Sequence, residues 1–293
     1  MYSELEKRKK NWTVIDIIRW GTDYFKEKDI DSPRLTIELL LCKILECERI
    51  SLYTNFEKPL SDDELFRLKG FIKRRISREP LQFILGRTKF NDTELIINNS
   101  SIVPRPETEL MVDYAINIIK NNSSIKDILD IGTGSGCIAI SLARRYPDIN
   151  FHAIDINIEA LKLAEKNARY NGLKNIYFYQ LDILKMTPTK KFDLIISNPP
   201  YVSQEEYKIL EPEVLYYEPQ EAITDNYDGL TFYRRFSEIF REILNHNGMF
   251  ILEIAYNQSD EVLHIFNQQG YQVNFVKDWN NIKRVVIGKY DKF

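Results

Sequence analysis

The chain has little cysteine. Cys42, Cys47 and Cys137 are the three in 293 residues, and no Cys-x-x-Cys pair occurs. An odd, scattered set argues against a disulfide framework or a cysteine zinc site and fits a reducing compartment. A basic excess is missing as well. Forty Lys and Arg stand against 43 Asp and Glu, a net charge of −3, which counts against a general nucleic-acid binder. No apolar run approaches the roughly 20 residues of a membrane span, so no membrane partner is expected. Residues 1–12 mix acids and bases ahead of any apolar stretch and read as neither a secretory signal nor an Arg-rich transit peptide. A cytoplasmic protein is the expectation. Three histidines, His152, His246 and His264, lie scattered without metal-ligand spacing, so no metal is expected.

Glycine is also scarce, at 11 residues, yet Gly132, Gly134 and Gly136 fall within five positions. Four of the 11 prolines lie in two clusters, Pro104-Arg105-Pro106 and Pro199-Pro200. A chain that uses glycine sparingly and then concentrates it needs close backbone approach there. At roughly 100–200 residues per domain, the length suggests two domains. The first part is helical. Ser32-Pro33 reads as a cap followed by proline at the first helical position, and Ser61 with Glu64 fits a capping box. Apolar stripes follow both, and residues 1–82 read as a helical bundle. Residues 83–106 form a connector, with a short strand pair about Asn91-Asp92. From 107 to 293 strands and helices alternate. Apolar runs at 126–131, 150–155, 176–181, 192–197 and 249–254 predict a parallel, doubly wound α/β sheet. Runs at 271–276 and 284–288 lack a helix between them and predict a hairpin.

Asp130-Ile131-Gly132-Thr133-Gly134-Ser135-Gly136 sits between the first strand of that sheet and a helix. Such glycines let the backbone approach a ligand at a helix N-terminus. The sixth position is Cys137, so the dinucleotide spacing GxGxxG is absent. Asp130, at the strand's end, would repel a pyrophosphate and suit a cationic or hydroxyl-rich ligand. Asp155 ends the second strand, placed to accept from ribose hydroxyls, and Asp182-Ile183 follow the third, placed to border an adenine. A ribose, an adenine and a positive sulfonium without phosphate describe S-adenosyl-L-methionine, with S-adenosyl-L-homocysteine as product.

The fourth strand ends in Ser197-Asn198-Pro199-Pro200-Tyr201. An amide or exocyclic amine is a poor nucleophile because its lone pair is delocalised. Asn198, through its side-chain oxygen, and Pro199, through its carbonyl, can each accept one N–H, favouring a pyramidal nitrogen with its lone pair aimed at the methyl group. Tyr201 can pack on a planar acceptor. No general base is required, because an N-methylated amide cation loses its proton readily to water. Glu107 either orients the acceptor or caps the helix at 108–119. His152 reads as strand packing, and Cys137 as a small residue under the loop, with a lowered thiol pKa as the alternative. The runs Lys7-Arg8-Lys9-Lys10 and Lys73-Arg74-Arg75 read as solvated faces rather than nucleic-acid contacts.

From about Arg74 onward the sequence resembles the release-factor glutamine methyltransferases, the HemK/PrmC family. The resemblance rests on Glu79-Pro80-Leu81-Gln82, Pro104-Arg105-Pro106-Glu107-Thr108-Glu109, the Gly132–Gly136 loop, Asn198-Pro199-Pro200-Tyr201, Tyr217-Glu218-Pro219 and Glu253-Ile254-Ala255-Tyr256-Asn257-Gln258. Residues 1 to about 70 match only in being helical. Ile183 stands where some members carry an aromatic, Ala255 where glycine is usual, and Asn280-Asn281-Ile282-Lys283 replaces a more common glycine-containing stretch. The resemblance implies a seven-stranded class I S-adenosylmethionine-dependent methyltransferase domain and a helical N-terminal domain that docks the substrate protein. It implies methyl transfer to N5 of the glutamine in the Gly-Gly-Gln loop of peptide chain release factors, in a bacterial cytoplasm. Carried over by position, Gly132, Thr133, Gly134, Ser135, Gly136, Asp155, Asp182 and Ile183 border the cofactor. Asn198 touches donor and acceptor, and Pro199, Pro200 and Tyr201 form the glutamine pocket. Nothing in the sequence demands more than a monomer. Two other readings stay open: an amino-group methyltransferase on DNA or RNA, sharing the Asn-Pro-Pro-Tyr motif, and a non-catalytic adaptor.

Overall fold

The computed structural model describes residues 11–290. Packing divides the chain between Gly86 and Arg87 into two compact units. In the first lie helices α1 (Val14–Glu27), α2 (Pro33–Leu45), α3 (Arg49–Thr54), α4 (Asp62–Ile76) and α5 (Leu81–Leu85). Ser61 and Glu64 close the expected capping box on α4, and Thr13 and Asp16 close an unforeseen one on α1. Ser32 departs from expectation: it is left-handed, with φ 47°, and its side chain makes no cap bond. Proline at the start of α2 sets that end instead. Ile17, Phe25, Ile37, Leu40, Leu41 and Leu68 are buried in the shared core. Glu38 is buried among them and receives Arg34 (2.9 Å), Arg49 (2.6 Å) and Tyr53 (2.7 Å). Burial pushes its carboxyl up, but those three bonds outweigh it and leave the group below the ordinary range. Arg74 turns back to the Glu79 carboxylate, and Arg75 donates to the Glu79 carbonyl. The run Lys7–Lys10 lies outside the described residues.

The second unit opens with a hairpin, β1 (Arg87–Phe90) and β2 (Thr93–Ile96), turned at Asn91 with φ 50°. A seven-stranded sheet follows: β3 (Asp127–Ile131), β4 (Asn150–Asp155), β5 (Ile176–Gln180), β6 (Phe192–Ser197), β7 (Leu244–Glu253), β8 (Tyr271–Lys277) and β9 (Lys283–Tyr290). The strand order is β5-β4-β3-β6-β7-β9-β8. Strands β3 to β7 run parallel, and β9 enters antiparallel between β7 and β8, the expected hairpin. Strand β7 begins five residues before the expected 249, because Leu244 pairs with Phe192 ahead of an irregularity in the register. The helices are α6 (Pro106–Asn121), α7 (Cys137–Arg145), α8 (Ile158–Tyr170), α9 (Gln204–Tyr207), α10 (Pro212–Tyr217), α11 (Thr231–Ile243) and α12 (Ser259–Gln268). Phe236, Phe240, Phe250 and Phe266 stack between α11, α12 and β7. His152 lies against Tyr177, Tyr179 and Phe192 and pairs with Asp127, which is the packing role expected of it. The chain winds one way through β3, β4 and β5 and the other way through β6 and β7. Beyond the carboxyl ends of β3 and β6 this reversal opens a crevice, the usual ligand position in such sheets. Among the described residues no helix is long and apolar enough to cross a membrane.

Candidate active site

The glycine loop sits at that reversal, with Gly132, Gly134 and Gly136 all left-handed. Its first three amides are already engaged. Gly132 and Thr133 both donate to the Ile154 carbonyl, at 2.8 and 3.0 Å, and Gly134 donates to Asp155 Oδ2 at 2.9 Å. These N–H groups point across to β4 and form no phosphate nest, which fits a ligand without a pyrophosphate. Asp130 differs from expectation. Its carboxylate is buried and accepts from Thr133 Oγ1 at 2.7 Å instead of facing a ligand, and burial pushes it up to about 7. Cys137 is likewise pushed up to about 12 by burial, so the helix end does not activate it.

One cavity of about 230 Å³ lies against this loop. Its wall brings together Gly132, Gly134, Asp155, Asp182, Ile183, Asn198, Pro199 and Pro200. Thr133, Ser135, Gly136 and Tyr201 lie outside that wall. Thr133 turns to Asp130, the Ser135 carbonyl accepts from Asn167, and Gly136 starts α7 tight against Ile140 and Ala164. Asp155 Oδ1 accepts from the Asn157 amide at 2.9 Å, which with Gly134 fixes the carboxylate at the rim. Burial raises it, opposed by those two bonds. Asp182 bonds to the Leu184 amide and pairs with Lys185 at 2.9 Å. Ser101, Asn157, Glu221, Asp225 and Phe232 also line the wall, and nothing in the sequence singles them out. Asp225 is the clearest of these. Its carboxylate accepts the amides of Tyr227, Gly229 and Thr231 and so shapes the turn into α11.

The motif at the end of β6 is held by side chains far away in sequence. Asn198 Nδ2 donates to Thr108 Oγ1 at 3.1 Å, and Thr108 Oγ1 donates to Glu253 Oε2 at 2.7 Å. Tyr201 donates its hydroxyl to Glu253 Oε1 at 3.1 Å, and burial raises the phenol far above its ordinary range. Gln258 donates to the carbonyls of Tyr201 (2.9 Å) and Gly229 (3.2 Å) while accepting from the Ala255 amide. Gly229 is left-handed, and a Cβ there would lie 2.3 Å from the Tyr201 oxygen, so only glycine permits this approach. Arg105 pairs with the buried Glu218 at 2.6 Å, joining the Pro104–Glu109 block to Tyr217-Glu218-Pro219. Burial raises Glu218, opposed by Arg105. Glu107 is exposed in the first turn of α6, and its neighbour Thr108 is the residue that reaches the motif. Capping and acceptor chemistry draw attention to charged residues, and a buried threonine gives no such signal.

The mostly parallel seven-stranded sheet, with its glycine loop and strand-end carboxylates, defines a class I S-adenosylmethionine-dependent methyltransferase fold. The profile of the methyltransferase small domain matches residues 109–215. The catalytic domain of hMettl16, solved with the MAT2A 3'UTR hairpin 6, shares the fold, with a TM-score of 0.53 at 15% identity over 80% of this chain and 86% of that one. The release factor glutamine methyltransferase of Geobacter sulfurreducens is 36% identical over 95% of this chain and 97% of its own length. That of Bacillus subtilis is 34% identical, over 94% and 96%. The chain belongs to the release factor glutamine methyltransferase family. The PrmC N-terminal domain profile matches residues 16–86, so the likeness of the helical part goes beyond helicity, contrary to the expectation for residues 1 to about 70.

Proposed function

We propose that this chain transfers a methyl group from S-adenosyl-L-methionine to the side-chain amide nitrogen of the glutamine in a release factor's Gly-Gly-Gln loop. The observation that carries the reading is the cavity against the glycine loop. It holds the strand-end carboxylate Asp155 and the acceptor motif Asn198-Pro199-Pro200 in one wall. The loop residues support that ligand, since their amides leave no nest for a pyrophosphate. When bound, the cofactor supplies an electrophilic methyl group. Asp155 accepts from the ribose hydroxyls, Asp182 and Ile183 border the adenine, and the Gly132–Gly136 backbone passes beside the remainder. Asn198 spends its Nδ2 on Thr108, so its Oδ1 is the atom left to accept an N–H from the acceptor. The Pro199 carbonyl accepts the other N–H. Together they turn the nitrogen lone pair toward the methyl, and Pro200 and Tyr201 shape the pocket around the glutamine. The surplus proton of the methylated amide leaves to water. The helical unit docks the release factor, and the chain acts as a monomer in the bacterial cytoplasm, without a metal or a nucleic-acid substrate.

Labelled S-adenosylmethionine, offered with a release factor, with the same factor carrying Gln→Ala in its loop, and with duplex DNA or RNA, tests this. Label on the intact factor alone is expected. Label on nucleic acid, or equal label on the altered factor, would overturn the assigned substrate.

A further inference from the structure

Asn198, Thr108, Glu253 and Tyr201 form an unbroken hydrogen-bonded chain behind the acceptor motif. Its direction follows from the chemistry of its members. An ionised carboxylate only accepts, and a threonine hydroxyl has one proton to give. Thr108 gives that proton to Glu253 Oε2, so toward Asn198 it presents lone pairs only. Asn198 meets them with Nδ2. The amide oxygen is thereby turned the other way. Tyr201 gives its proton to the second carboxylate oxygen. The strand end beneath is itself anchored: Tyr233 donates to the Glu253 carbonyl at 2.7 Å, and the Ile254 amide donates to the Arg284 carbonyl at 2.9 Å.

The geometry points to Glu253 as a positioning residue for methyl transfer, acting through Thr108 to keep the Asn198 oxygen, and not its NH₂, facing the substrate nitrogen, and holding Tyr201 beside it. This rests on the reading above, in which Asn198 accepts an N–H of the acceptor amide. Protonation of Glu253 would remove the constraint. A neutral acid can donate to Thr108, whose proton is then free to point at Asn198. The amide can flip, and two donors would face each other across the site. The titratable and charged groups about Glu253 are Glu107 on α6, Cys137 on α7, Tyr201 after β6, Tyr233 on α11 and Arg284 on β9. Burial raises the Glu253 carboxyl to about 7, Glu107 adds to the rise, and Thr108, Tyr201 and Arg284 oppose it.

The test compares Thr108→Val and Thr108→Ser in the full chain, measuring kcat and KM for a release factor, S-adenosylmethionine affinity by calorimetry, and Tm. Valine keeps the shape and loses the hydroxyl. It is expected to lower kcat roughly 10- to 100-fold, with cofactor affinity within about twofold, and serine to restore most of the rate. The pH profile supplies a readout that packing alone would not move. The wild-type kcat is expected to rise through about pH 7, and Glu253→Gln to hold a low rate with that limb gone. An unchanged kcat in Thr108→Val, a serine variant as slow as the valine one, or an acid limb that survives in Glu253→Gln would overturn the proposal. Should Thr108→Val fail to fold, the Glu253→Gln profile decides. Failure of the wild type to label the factor would be seen before any variant is made, and would mark failure of the functional reading.

Discussion

The two sides of the cavity are built by different means. On the β4 side, main-chain amides hold the glycine loop to the next strand: Gly132 and Thr133 to Ile154, Gly134 to Asp155, Asn157 to Asp155. On the β6 side, side chains do the holding. Thr108, Glu253 and Gln258 reach Asn198 and Tyr201 from positions 52 to 90 residues away in the chain. The first arrangement tolerates many side chains, provided the backbone can turn. The second depends on particular polar atoms, each needing its partner because it is buried. Changes on the first side are therefore expected to act on cofactor affinity, and changes on the second on the rate of transfer.

Among changes to the residues that support the two sides, the largest effect expected is at Gly229. An alanine Cβ there would press into the Tyr201 carbonyl at 2.3 Å and the Gln258 amide at 2.8 Å. Gly229→Ala is expected to slow methyl transfer about 100-fold or more, since misplacement of about 1 Å has that cost, while cofactor affinity changes by less than about threefold. Rate and calorimetric titration on the same preparation check it, and parallel losses would erase the distinction between the two sides. Asp155→Ala should give the mirror image. It removes the acceptor for ribose hydroxyls and leaves the Gly134 amide unpaired. Cofactor affinity should fall roughly 10- to 100-fold, and the rate at saturation only a few-fold, by about 1.4 kcal/mol of binding per decade.

The smallest effect concerns stability against pH. The folded state holds the Glu253 proton more tightly than the unfolded chain, because burial raises the group from 4.5 to about 7. Its contribution is therefore full below about pH 4.5 and is lost as pH rises through about 7. Glu253→Gln has no such slope. Its unfolding free energy should gain on the wild type between about pH 5 and pH 8, by on the order of 1–3 kcal/mol, seen as a Tm difference that grows with pH. Asp130 is raised by burial in the same sense but is common to both proteins and cancels. A constant Tm difference across that range would show that Glu253 is not buried as described. Stability and rate thus respond to this one carboxyl with opposite signs as pH rises.

The same contrast explains what could be read from the residues alone. The glycine loop, Asp155 and the Asn-Pro-Pro-Tyr motif are each contiguous, and strand ends in a parallel sheet gather by topology, so their meeting in one cavity follows from element order. The side-chain directions do not follow. Asp130 resembles a ligand group because it lies one residue before the end of β3, yet its side chain turns inward to Thr133. Thr108 and Gln258 lie inside motif blocks that the resemblance had already marked, but a threonine or glutamine there suggests no chemistry until its partners are seen. Asp225 shapes the wall through three local amides, and a lone aspartate in a loop gives no hint of that. In the helical unit, the Ser61 box was legible because both members lie within one turn, whereas the partners of Glu38 come from two helices.

The most direct measurement is Asn198→Ala, with cofactor affinity and methyl transfer to a release factor recorded side by side. Transfer is expected to fall about 100- to 1000-fold, the effect of removing one stabilising group at a reacting centre, while the dissociation constant for S-adenosylmethionine stays within about threefold. Transfer near the wild-type rate, or an affinity that collapses in step with it, would contradict the division of this cavity into a donor side and an acceptor side.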